Sequence, residues 1–131
     1  MLSLSLKIRC YVFALLCLLL TGFSHAESIP FDAAAFAEAR QQGKPVLVEV
    51  GAEWCTTCRV QQPIVNALVQ QPEFAEFVVF RVDFDRQKDV LQELGVRMQS
   101  TLIVYRGEEE VSRSIAQTNR QAIAQQLSKA L

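Results

Sequence analysis

The apolar positions of this chain come in short blocks, and their spacing changes from block to block. In "FDAAAFAEARQQGKP" Phe36 and Ala39 lie three apart, with Glu38 and Arg40 on the polar side, which predicts a helix from Ala33 to Gln42. Asp32 is its predicted cap, and Gly43 with Pro45 stops it. "VLVEV", Val46 to Val50, is a β-branched run of the kind that forms a buried strand, interrupted by one acid, Glu49. Beyond a loop from Gly51 to Trp54, a second helix is predicted from near Cys55 to Val69. Val60, Ile64, Val65 and Leu68 form its apolar face, and Pro63 should kink it. "FVVFRVDF", Phe77 to Phe84, alternates like a strand, and "RQKDVLQEL" is a short helix stopped by Gly95. "TLIVY", Thr101 to Tyr105, is a further strand, and "RGEE" turns it into an antiparallel edge strand, "EVSRSI". "TNRQAIAQQLSKAL" closes the chain as an amphipathic helix, with Thr118 and Gln121 spaced as a capping box. Strand–helix–strand units imply parallel pairing beneath helices, and the last two strands form a hairpin. The expected fold is α/β, a mixed central sheet of about four strands flanked by helices.

The first residues follow another pattern. Lys7 and Arg9 precede an almost wholly apolar run, Tyr11 to Phe23, and Ser24 to Ala26 supplies a small-x-small site. That order is a secretory signal peptide, residues 1–26, followed by one domain, residues 27–131. The run is about 13 residues, against the ~20 that span a bilayer, so cleavage is expected and an uncleaved membrane anchor is the alternative. Leu16 stands before Cys17 where a lipoprotein needs a small residue, and there is no twin arginine. The expected location is the periplasm.

Removal of that segment changes the composition. Of 131 residues 105 remain, enough for one core. The 13 basic residues lose Lys7 and Arg9, so 11 face 14 acids, a net charge of −3. With no basic cluster, nucleic acid is excluded as a partner. His25, Cys10 and Cys17 leave, and the cysteines that stay are Cys55 and Cys58. Zinc takes four N or S ligands, or three and water, so two cysteines without histidine make no zinc site in one chain. Disulfides persist outside the cytosol. A bridge closing so short a loop removes little unfolded-state entropy, which favours chemistry over stapling.

Nearly the whole mature chain, from about Phe31 to Leu131, resembles the thioredoxin family. The resemblance rests on Trp54 directly before Cys55, Pro63 five residues after Cys58, Glu49 six before Cys55, and "GVRMQSTLIVY" leading into a strand. "RQQGKPVLVEVGAEWC" is especially similar to exported members, such as the C-terminal domain of the DsbD-like periplasmic thiol:disulfide interchange protein. Two features depart from the family. Thr56-Thr57 separates the cysteines in place of Gly-Pro, and Ser100 stands where the family has a cis-proline. A cis bond before a non-proline residue costs about 2.5–4 kcal/mol, so the Gln99–Ser100 bond is either trans with a reshaped loop or cis and strained.

The resemblance implies a thiol–disulfide oxidoreductase without cofactor or metal. Cys55, exposed, is the nucleophile, and Cys58, shielded one helical turn on, resolves the mixed disulfide. At a helix N-terminus the Cys55 pKa should fall below the ~8.5 of free cysteine, and the Thr57 hydroxyl is a candidate donor to its sulfur. Glu49, buried with a raised pKa, is the candidate proton shuttle. Trp54, Gln99, Ser100 and Thr101 are the candidate substrate-binding residues. Glu53, Arg59 and the acids Glu108 to Glu110 read as surface charges. The absence of a histidine between the cysteines leans towards a reductant. The expected protein is thus an exported reductase of protein disulfides, monomeric, supplied by a membrane electron donor. The alternatives are a disulfide oxidase or isomerase, or a binding module: a peptide-binding domain, or a dimer holding an Fe–S cluster on four thiolates.

Overall fold

The structure, a computed structural model, describes residues 26–131. The predicted signal peptide, apart from Ala26, lies outside the described residues. Two inner strands organise the rest. β2 (Pro45–Gly51) pairs in parallel with β3 (Val78–Asp83) and antiparallel with β4 (Thr101–Arg106). β1 (Glu27–Pro30) adds in parallel outside β3, and β5 (Glu109–Ile115) adds antiparallel outside β4, giving the order β1-β3-β2-β4-β5. The mixed sheet therefore has five strands. The additional one is β1, four residues with a proline at the end, too short and too polar to show a period.

Strand alternation sends successive side chains to opposite faces. Leu47, Val79, Leu102 and Val104 face α2 (Thr56–Val69) and α4 (Arg120–Ser128), packing with Val65, Leu68, Ile123 and Leu127. Val46, Val48, Phe80, Val82 and Ile103 face α1 (Ala33–Gln41) and α3 (Lys88–Glu93), packing with Phe36, Ala39, Val90 and Leu91. Glu49, two residues after Leu47, thus points to the α2 side. Ala26 is buried in that same core.

Most ends agree with the sequence. Asp32 caps α1, its carboxylate accepting from the Ala35 N–H at 2.8 Å, and the stop at Gly43 uses a left-handed φ of 72°. α2 runs through Pro63 without a break. Two expectations fail. The Thr118/Gln121 capping box does not form; Asn119 caps α4 instead, accepting from the Ala122 N–H at 2.9 Å. Asparagine is a stronger cap than threonine and sits one residue later. On α2, Val60 is 55% exposed while Gln61 is buried, so the inward face is turned by one position. The Gln61 amide makes this possible by donating to the carbonyls of Ser100 (3.3 Å) and Gln117 (2.9 Å).

Candidate active site

β2 ends at Gly51, and a short loop delivers Cys55 to the start of α2. Cys55 is the N-cap residue, its sulfur accepting from the Cys58 N–H at 3.1 Å. A disulfide joins Cys55 to Cys58, with Cα atoms 5.3 Å apart. The sulfur nearest the helix dipole is therefore that of Cys55, which favours its thiolate when the bond is reduced.

The bridge is covered. Cys55 is 2% and Cys58 3% exposed, so the expected contrast between an exposed and a shielded cysteine is absent in the disulfide form. One covering group is Ser100, whose Oγ lies 3.2 Å from Cys55 Sγ and 3.0 Å from Cys58 Sγ. The open alternative at this residue is resolved. No cis peptide occurs among the described residues, so the Gln99–Ser100 bond is trans, and Ser100 takes a left-handed φ of 59°. Its backbone is engaged inside the fold: its N–H donates to the Val50 carbonyl at 2.8 Å, and its carbonyl accepts from Ala116 N–H at 2.9 Å. Thr101 is buried too, its hydroxyl donating to the Met98 carbonyl at 2.6 Å, whereas Gln99 is half-buried. The donors at Cys55 Sγ are thus Cys58 N–H and the Ser100 hydroxyl, not the Thr57 hydroxyl.

Behind the bridge, Glu49 is 2% exposed. Its register partner on β3 is Arg81, whose Nε donates to Glu49 Oε2 at 3.0 Å while Nη2 donates to Asn66 Oδ1 at 2.6 Å. Glu49 Oε1 has no partner among the described residues. Burial pushes the Glu49 pKa up, and the Arg81 charge and hydrogen bond only partly oppose it. Glu49, Cys58, Gln62 and Arg81 line one cleft of about 560 Å³. Trp54 is exposed, with its indole N–H donating to Asp85 Oδ2 at 2.8 Å and its ring edge-on to Phe84. Glu53 and Arg59 are exposed, and the Arg59 guanidinium donates to the Glu53 carbonyl at 3.1 Å.

A redox disulfide opening a helix, backed by a buried acid on the adjoining strand, agrees with the comparisons. The family model described as Thioredoxin matches residues 27–129. The chain belongs to the thioredoxin family. It is 33% identical over 82 residues to thioredoxin Asp f 29 of Aspergillus fumigatus, covering 62% of this chain and 74% of that one. To thioredoxin 1 of Nostoc it is 32% identical over 87 residues, covering 66% and 80%. Among solved structures it resembles Trxlp from Edwardsiella tarda EIB202 at 44% identity and a TM-score of 0.75, over 77% of this chain and 98% of that one. As a thioredoxin-family member the protein is a thiol–disulfide oxidoreductase acting on protein disulfides, with Cys55 and Cys58 as its redox pair.

Sequence reasoning missed three contributors. Arg81 is visible only through strand register, as the residue opposite Glu49. Asp85 is found only once the loop after β3 returns beneath Trp54. Gln61 gave one signal, an amide at a helix position that turns inward.

Proposed function

We propose that this protein is an exported reductase of protein disulfides, working as a monomer and recharged by a membrane electron donor. The observation that carries the reading is the Cys55–Cys58 bridge at the N-terminus of α2 with the raised-pKa carboxyl of Glu49 on the same cleft as Cys58. In the reduced protein the Cys55 thiolate attacks one sulfur of a substrate disulfide. The other substrate sulfur leaves as a thiolate. Glu49 takes the Cys58 proton through the shared cleft. Cys58 then attacks Cys55, the second substrate thiolate leaves, and the bridge reforms. Exposed Trp54, Val60 and Met98 on the loop, helix and turn around the cysteines offer apolar surface to a polypeptide substrate. The signal-like residues 1–26 support export to the periplasm, and the similarity of "RQQGKPVLVEVGAEWC" to exported family members supports a membrane donor.

The direction is tested by equilibrating Cys55/Cys58 against thiol buffers, read by Trp54 fluorescence. A potential near −270 mV, about that of thioredoxin, supports a reductase; one near −120 mV, about that of a strong oxidant, makes the protein a disulfide donor. Export is tested by N-terminal sequencing of the protein recovered from the periplasm, where a start at Glu27 is expected and a start at Met1 refutes cleavage.

A further inference from the structure

Ser100 holds a hydroxyl that is 1% exposed and whose hydrogen-bond partners, among the described residues, are the two sulfurs alone. In the disulfide neither sulfur carries a hydrogen, so the hydroxyl is the donor in both contacts. Disulfide sulfur is a weak acceptor, and a buried hydroxyl bonded only to weak acceptors is poorly satisfied. A thiolate in the same place is a strong, charge-assisted acceptor. The hydroxyl therefore favours the reduced, ionised state over the bridged one.

Its location is held, not incidental. The left-handed backbone of Ser100 is costly for any residue with a Cβ, and it is fixed by the bonds to Val50, Ala116 and Gln61. Proline cannot occupy this conformation, since its ring fixes φ near −65° and it lacks the N–H that Val50 accepts. The geometry that excludes proline here is the one that aims the hydroxyl at the sulfurs.

We propose that Ser100 is a catalytic residue, a hydroxyl donor that serves the Cys55 thiolate during attack and the Cys58 thiolate during resolution. Between the two steps the O–H rotates and no proton is transferred. The charge it stabilises begins on Cys55, passes to the departing substrate sulfur, and is renewed on Cys58. With Cys58 N–H already donating to Cys55 Sγ, the attacking thiolate has two donors. This role of the hydroxyl is the same whatever the compartment, substrate or direction of exchange.

The test is Ser100→Ala and Ser100→Gly in the full chain. Both lack the hydroxyl, and glycine accepts the positive φ without strain. The Cys55 pKa is read from the pH dependence of alkylation of the reduced protein. It is expected to rise by about one unit in both variants, a tenfold loss of thiolate at a fixed pH below the pKa. At a pH well above the Cys55 pKa of both proteins the equilibrium with a thiol buffer should move about tenfold towards the disulfide, a potential lower by about 30 mV. A merely structural role would change the melting temperature of the oxidised variants, in opposite directions for Ala and Gly, without moving the pKa. A pKa and an equilibrium constant unchanged in the folded glycine variant would overturn the proposal. The unaltered protein gives a second reading: on reduction the Ser100 hydroxyl proton should shift downfield in the NMR spectrum and exchange slowly. A hydroxyl proton indifferent to reduction also overturns it.

Discussion

Replacing Glu49 by glutamine separates what the buried acid does for stability from what it does for exchange. Glu49 has one oxygen bonded to Arg81 and one without a partner among the described residues, and burial raises its pKa above the ordinary 4.5. Between pH 4.5 and the folded pKa the native state binds the proton more tightly than the unfolded chain. Stability from this group is thus fully present below pH 4.5 and is lost as pH rises through the folded pKa. Each unit of elevation corresponds to about 1.4 kcal/mol. At pH 8, Glu49→Gln exchanges the cost of burying a carboxyl that ionises in the unfolded chain for the smaller cost of an unpartnered neutral amide, a gain of about 1–3 kcal/mol. It loses a pair whose arginine is 40% exposed, which offsets about 0–1 kcal/mol. The variant should therefore be more stable at pH 8 by about 1–2 kcal/mol, and its stability should be flatter from pH 4.5 to 8. Disulfide exchange should slow by about 10²-fold at pH 7, the lower end of what a positioned base contributes. That deficit should shrink above pH ~8.5, where a free thiol ionises unaided. Urea denaturation of the oxidised proteins across pH, together with stopped-flow exchange, measures both. Parallel stability curves for the two proteins, or a less stable variant at pH 8, would refute the reasoning.

Gln61→Met should keep the volume and relieve the unpartnered Gln61 Oε1 while losing two donated bonds; a net loss of about 1 kcal/mol is expected in thermal melts. Asn119→Ala should cost about 1 kcal/mol by uncapping α4, measured by urea titration, and Thr118→Ala should cost nothing measurable. Phe80→Ala should be the most damaging, at about 3–5 kcal/mol, since its ring is fully buried between Phe31 and Phe36 with centroids 5.9 and 5.6 Å away; calorimetry should show a melting point lower by more than about 10 °C.

The inner strands and α2 were legible because each combines a long apolar pattern with an unambiguous stop. β1 was not, since four residues ending in proline gain strand character only by pairing with β3, some fifty residues later. The α2 face was displaced because periodicity counts Val60 as apolar and Gln61 as polar. In the fold, Gln61 meets two carbonyls while Val60 stands beside the redox centre in solvent. At the site, Cys55, Cys58 and Glu49 could be read from spacing and resemblance. The covering of both sulfurs could not, because it depends on the φ of Ser100. Ser100 stands out in the sequence as a departure, but only the fold places its hydroxyl within 3.2 Å of both sulfurs.

The two outer strands have a consequence for the company this protein keeps. An enzyme of disulfides meets chains that are partly unfolded, whose free strands seek an open sheet edge. Here each edge resists recruitment. β1 is brief, and Pro30 has no N–H to offer a visitor. β5 carries exposed Glu109, Glu110 and Arg113, with Arg113 tied to Glu110 at 2.8 Å and to the Leu94 carbonyl at 2.8 Å, and a bulge beside Val104 and Tyr105 twists the pairing. Such margins let a client's backbone slide past without adding a sixth strand, which leaves docking to the face around the cysteines.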